Sequence, residues 1–185
     1  MPILKQQRTN FIRLFLLYNL VVPILDPHTL EFTSRSPEQT RRVGARLGML
    51  LQPGDLVCLS GDLGSGKTTL VQGIAQGWGS LDQVSSPTFV LVNAYRSPSG
   101  NTLHHMDAYR LRDAAEAEDL DLIFLLETGA MVLEWPERIS SILPAGHFWV
   151  DLSWVADEQR KMVFSARGDH YTQMLAEFRQ KVFGG

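Results

Sequence analysis

Short apolar runs alternate along the chain with longer segments whose apolar positions recur every three or four residues. That rhythm predicts strands interleaved with helices. Residues 29–33 alternate apolar with polar, the period of a strand with one buried face. Ser36, Pro37 and Glu38 then supply an N-cap serine and a proline at the first helical position. Val43, Leu47 and Leu50 share one face of the helix that follows, and Pro53-Gly54 ends it. Residues 55–60 form an apolar run of buried-strand type, and residues 69–76 carry Leu70, Val71 and Ile74 on one helical face. Residues 88–95 and 102–107 predict two strands, joined by a Ser-Pro-Ser-Gly-Asn stretch of hairpin composition at 97–101. A helix is expected over 112–127, capped by Asp113 and closed by Gly129, and a buried strand over 130–134. Late strands at 147–154 and 161–165 precede a C-terminal helix at 171–183. The sum is an α/β domain, a mixed central sheet with helices on both faces and no internal linker.

The residues between the strand at 55–60 and the helix at 69–76 change what this pattern means. Gly61, Asp62, Leu63, Gly64, Ser65, Gly66, Lys67 and Thr68 read G-x-x-x-x-G-K-T, the phosphate-binding loop of nucleoside triphosphatases, so the α/β fold is expected to be P-loop NTPase-like. Glycines let successive backbone N–H groups converge on phosphate oxygens. Lys67 is expected to face solvent without ligand and to reach the β/γ-phosphates, while the Thr68 hydroxyl serves Mg²⁺. Such a loop needs a second Mg²⁺-organising carboxylate at the end of a neighbouring apolar strand. Two acids qualify, Glu134 and Asp107. Glu134 is assigned to the metal and Asp107 to a switch or water-positioning role. Trp135 follows Glu134 and puts a large ring either beside the site or in the core.

Other chemistry is thinner. His104 and His105 lack the companion ligands of a zinc site, which favours a structural or hydrogen-bonding role. Ser86, Pro87, Thr88 and Phe89 lie where nucleotidases carry a γ-phosphate-sensing switch. The chain has no Asn-Lys-x-Asp and no Asp-x-x-Gly, so ATP is expected over GTP.

Composition sets bounds. At 185 residues, 44% hydrophobic and 20% charged, the chain can bury a sizeable core. A formal net charge of −3 excludes a general nucleic-acid binder, so any contact with RNA needs a local patch or a partner. Cys58 is alone, cannot form an internal disulfide and suits a reducing cytoplasm. Residues 11–25 are apolar but broken by Arg13, Asn19 and Pro23, too short for a comfortable membrane span, and no small-x-small cleavage site follows. An additional helix and an over-extended gene start are both open. The second is preferred, with the working domain beginning near Thr29 and no membrane partner.

Four motifs stand in order: residues 61–69, Ser-Pro-Thr-Phe at 86–89, His-Met-Asp-Ala-Tyr-Arg at 105–110 and Glu-Trp-Pro-Glu-Arg at 134–138. Together they resemble the TsaE (YjeE) family, the ATPase of bacterial tRNA threonylcarbamoyladenosine synthesis. The resemblance covers about residues 29–165. It implies a small cytoplasmic ATPase working with TsaB and TsaD to modify the adenosine beside the anticodon in tRNAs reading codons that begin with A. ATP hydrolysis would permit multiple turnovers, with tRNA reached through the complex. By the same resemblance the loop through Thr69 holds phosphates, Thr68 and Glu134 hold Mg²⁺, Asp107 and Thr88 sit in switch segments, and Thr40 and Arg160 lie near the base. Two rivals remain, a small-molecule kinase and an adaptor that binds ATP without turning it over.

Overall fold

The computed structural model describes residues 26–87, 91–112, 116 and 120–184. In chain order the elements are β1 (Thr29–Ser34), α1 (Pro37–Gly48), β2 (Leu56–Ser60), α2 (Lys67–Trp78), β3 (Val92–Arg96), β4 (Thr102–Asp107), α3 (Leu122–Thr128) and β5 (Gly129–Glu134). A 3-10 helix (Pro136–Ile142), β6 (His147–Ala156), β7 (Gln159–Arg167) and α4 (Asp169–Phe183) follow. The strands form one sheet in the order β1-β7-β6-β2-β5-β4-β3. Its centre is parallel, β2 pairing with both β5 and β6, and β4 with β5. The flanking pairs β1–β7, β6–β7 and β3–β4 are antiparallel. The sheet is therefore mixed, as the sequence predicts.

Each face carries its own apolar layer. Val57, Leu59, Leu103 and Val132 pack with α1, α2 and α4 on one side. Leu56, Cys58, Met131 and Leu133 pack with Leu122 and Ile139 on the other. The alternating residues of β2 and β5 feed opposite layers, which is why these strands read as unbroken apolar runs. Cys58 is a core residue, its thiol pushed up to about 12 by burial. Among the described residues no helix is long and apolar enough to cross a membrane.

The helix ends follow local chemistry. Ser36 Oγ accepts from Gln39 N at the start of α1, and Val43 and Leu47 are fully buried on its inner face. The same helix presents Gly44 and Gly48 to Gly73 and Gly77 of α2. A Cβ at Gly73 would lie 2.0 Å from Arg41 O, and one at Gly48 would lie 2.1 Å from Ile74 O. Two helices meet here backbone to backbone.

Two expectations need correction. A single helix over 112–127 fails at Asp121, whose φ of +47° cannot continue a right-handed helix. Asp121 instead caps α3, its side chain accepting from Phe124 N. The Asp113 cap lies outside the described residues. Of the strand expected over 88–95, Leu91 turns the chain with φ +65° and the strand runs from Val92, while residues 88–90 lie outside the described residues.

Candidate functional site

The parallel centre brings the C-terminal ends of β2, β4 and β5 to one edge of the sheet, where ligands bind in such folds. From the end of β2 the chain passes through Gly61, Gly64 and Gly66, all at positive φ, into α2. Gly66 is the N-cap in the left-handed conformation, with no side-chain cap bond. The amides of Lys67, Thr68 and Thr69 therefore lack helical acceptors and are available to an anion. Leu152 O lies 2.2 Å from where a Gly61 Cβ would sit, so β6 forbids a side chain there. Ser65 Oγ is buried and meets no partner among the described residues. Free amides and an orphaned hydroxyl fit a phosphate group.

Glu134 and Asp107 are register partners at the ends of β5 and β4. Both are buried, and strand alternation turns them to the face that α2 covers. Glu134 Oε1 accepts from Thr68 Oγ1 at 3.2 Å and from His105 Nε2 at 2.9 Å. Asp107 Oδ1 accepts from Tyr109 N at 2.9 Å, fixing the turn after β4. A hydroxyl and a carboxylate oxygen beside a phosphate loop form a hard-oxygen donor pair that suits Mg²⁺.

Lys67 departs from expectation. It is 5% exposed rather than solvent-facing. Nζ donates to Gly61 O at 2.6 Å and Asp62 O at 3.0 Å, and sits 4.1 Å from the centroid of the Trp135 ring. Burial lowers its pKa, an effect opposed by Glu134 and Asp107. A buried ammonium needs partners, and the loop carbonyls and the aromatic face supply them. Trp135 itself has φ +60°, a conformation costing a non-glycine residue about 1–2 kcal/mol. Its N–H donates to Leu59 O, and its ring tilts against Tyr109 at 5.0 Å. The ring thus stands beside the site and also packs against the apolar layer of Leu56, Cys58, Met131 and Leu133.

Several of the remaining predicted residues line the same cleft, of roughly 320 Å³. Leu63, Gly64 and Gly66 line it from the loop, with Thr40 at the N-terminal turn of α1 and Arg160 on β7. Arg160 Nη1 donates to Asp157 O and Gln159 O, and Nη2 to Gly64 O at 3.4 Å. Thr40 Oγ1 is held 2.8 Å from Ser34 Oγ. Gly61 and Asp62 contribute carbonyls to Lys67, and Ser86 lines the cleft, while Thr88 lies outside the described residues.

This geometry can be set against known proteins. The family model described as "Threonylcarbamoyl adenosine biosynthesis protein TsaE" matches residues 34–162. The chain belongs to the TsaE family. It is 35% identical over 148 residues to the tRNA threonylcarbamoyladenosine biosynthesis protein TsaE of Bacillus subtilis, covering 80% of this chain and 92% of that protein. The protein of the same description from Treponema pallidum is 41% identical over 137 residues, 72% of this chain and 98% of its own. Among solved structures, Bacillus subtilis YdiB superposes with a TM-score of 0.70 at 28% identity, covering 83% of this chain and 96% of that one. The family assignment and the P-loop-like fold both stand as the motifs implied.

Pro37, Tyr109 and Glu158, none of them marked in the sequence as a site residue, also line the cleft. Tyr109 carried a signal, since it stands two residues past Asp107 in a family motif. Glu158 carried none, because only the β6–β7 hairpin brings it near the loop.

The two histidines of β4 separate. His104 Nε2 lies 3.1 Å from Thr128 Oγ1, and its Nδ1 is buried without a partner among the described residues. Burial lowers its pKa below the ordinary 6.5. The unfolded chain then takes a proton that the native state resists. Stability is full above about pH 6.5 and falls as pH drops from there through the lowered native pKa. His104→Gln is expected to flatten this part of a melting-temperature profile against pH. An unchanged acid slope would exclude His104 as its source.

Proposed function

We propose that this chain is an Mg²⁺-dependent ATPase of tRNA threonylcarbamoyladenosine biosynthesis, acting in the cytoplasm with TsaB and TsaD so that the modification runs over multiple turnovers. The observation that carries the reading is the Thr68 Oγ1–Glu134 Oε1 contact at the mouth of the phosphate loop. The amides of the first turn of α2 hold phosphate oxygens. Lys67 exchanges its loop carbonyls for the β/γ-phosphates, an exchange of neutral acceptors for charged ones. Thr68 and Glu134 hold Mg²⁺, which when bound neutralises charge on the phosphates. Asp107 occupies the neighbouring strand end, where it orders the switch or the attacking water. Thr40, Trp135 and Arg160 bound the rest of the nucleotide, with Thr88 in the switch.

Hydrolysis by the chain alone should be slow. Arg160 engages backbone carbonyls through both Nη atoms and is not poised to stabilise the transition state. Such a cation is worth roughly 10³–10⁵ in rate. Adding TsaB and TsaD is expected to raise phosphate release by ordering the switch or supplying a group in trans. In a reconstituted system, omission of this protein should stop multiple-turnover tRNA modification while threonylcarbamoyl-adenylate formation continues. Full multiple-turnover modification without it would sink the assignment, and binding without partner-stimulated release would favour an adaptor.

The two acids should separate by kinetics. Glu134→Gln removes the charge next to Thr68 and should weaken Mg²⁺-dependent ATP binding by roughly 1.5–3 kcal/mol, with hydrolysis falling in parallel. Asp107→Asn should leave affinity nearly intact and lower turnover or the response to partners. The reverse pattern in calorimetry and steady-state assays would exchange their roles.

A further inference from the structure

His105 connects the metal-side carboxylate to a second wall of the cleft. It is fully buried, its Nε2 lies 2.9 Å from Glu134 Oε1 and its Nδ1 lies 3.3 Å from Tyr95 Oη. A carboxylate only accepts, so Nε2 carries the proton and donates to it. Tyr95 Oη also lies 3.0 Å from Ser85 O, and Asn93 Nδ2 donates to both of those oxygens. Ser86, the next residue, lines the cleft. The hydrogen-bonded line thus runs Thr68, Glu134, His105, Tyr95, Ser85, from the phosphate loop to the segment that follows α2. Tyr95 joins His105 to the Ser85 end of it. Its one hydroxyl proton goes to His105 Nδ1 or to Ser85 O. With the proton on the His105 side, Asn93 Nδ2 still bridges Tyr95 Oη to Ser85 O, so the line stays joined, and removing the hydroxyl cuts it in two.

We propose that His105 and Tyr95 are positioning residues that tie the Glu134 carboxylate to the backbone of Ser85 and Ser86, coupling Mg²⁺-nucleotide binding to the placement of that segment. The proposal rests on the Mg²⁺-ATP reading above. Groups behind a metal ligand fix its orientation, and their loss typically costs about 10–100-fold in affinity or activity. Coupling between two sites requires an element that both bias, and a buried, satisfied hydrogen-bond line is such an element.

The test uses the full chain and two readouts other than turnover. The first is the Mg²⁺ gain, the ratio of ATP affinities by calorimetry with Mg²⁺ and with EDTA. The second is amide exchange of residues 81–86 with and without Mg²⁺-ATP. His105→Asn withdraws the donor from Glu134 and should cut the gain about tenfold. His105→Gln places an amide nitrogen where Nε2 stands and should restore most of it. His105→Gln and Tyr95→Phe both sever the far half and should abolish the protection that Mg²⁺-ATP confers on residues 81–86.

A His105→Asn protein with a full gain overturns the positioning role. A Tyr95→Phe protein with full nucleotide-dependent protection overturns the coupling, and this arm decides alone if the histidine variants fail to fold. A wild-type protein showing no Mg²⁺ gain overturns the metal assignment itself, an outcome distinct from both.

Discussion

Gly73→Ala is expected to lower the melting temperature by roughly 4–8 °C, the shift that about 2 kcal/mol produces in a domain of this size. The added methyl would stand 2.0 Å from Arg41 O, a backbone atom that cannot rotate away. Relief requires α1 and α2 to separate where Gly44, Gly48, Gly73 and Gly77 let them touch. Overpacking of this kind costs about 1–3 kcal/mol and occasionally more, while the better helix propensity of alanine returns only about 1 kcal/mol. Gly146→Ala is the control, because its nearest neighbour would be 3.5 Å away at ordinary contact distance. The effect should also reach the site. α1 carries Thr40 and Pro37 to the cleft, so a displaced α1 should weaken ATP binding in the folded fraction. A Gly73→Ala protein that melts with wild type would show that the helices can part without loss.

Lys67→Ala should reduce ATP affinity by more than about a hundredfold, the loss of roughly 3 kcal/mol of charge-assisted bonding to phosphate. The fold should survive. Lys67 is buried and its pKa lowered by desolvation, so its removal relieves a cost as well as deleting bonds to Gly61 O and Asp62 O. Near-wild-type melting combined with lost binding in calorimetry is therefore the expected pair. Unchanged ATP affinity in a protein with a normal circular dichroism spectrum would exclude the loop as the nucleotide site.

Both predictions depend on how sequence and tertiary structure divide the work. The phosphate loop was legible because its chemistry is local: the glycines at 61, 64 and 66 act through their own backbone angles, and Lys67 and Thr68 follow in the first turn of the helix. The α1 start was legible for the same reason, since Ser36 caps an amide three residues away. Glu134 and Asp107 could be picked out as acids ending apolar runs. The parallel pairing of β4 with β5 then made them neighbours.

Other features depend on partners far along the chain. Arg160 reaches Gly64 only because the sheet order sets β6 beside β2 and β7 beside β6. Lys67 is held inward by the carbonyls of Gly61 and Asp62 and by the Trp135 ring that β5 delivers to it, and nothing within its own helix signals the ring. His105 reads as one of two adjacent histidines with no ligand set. Strand alternation sends one toward Glu134 and the other toward Thr128, and the chains folded around them decide what each meets. Residue type, spacing and period determined the elements and the loop, because capping, turn angles and amphipathic period act over a few residues. The pairing of strands and the contact of glycine faces decided which side chains share the cleft. Those contacts join residues dozens of positions apart, and their energies exist only once the sheet has formed.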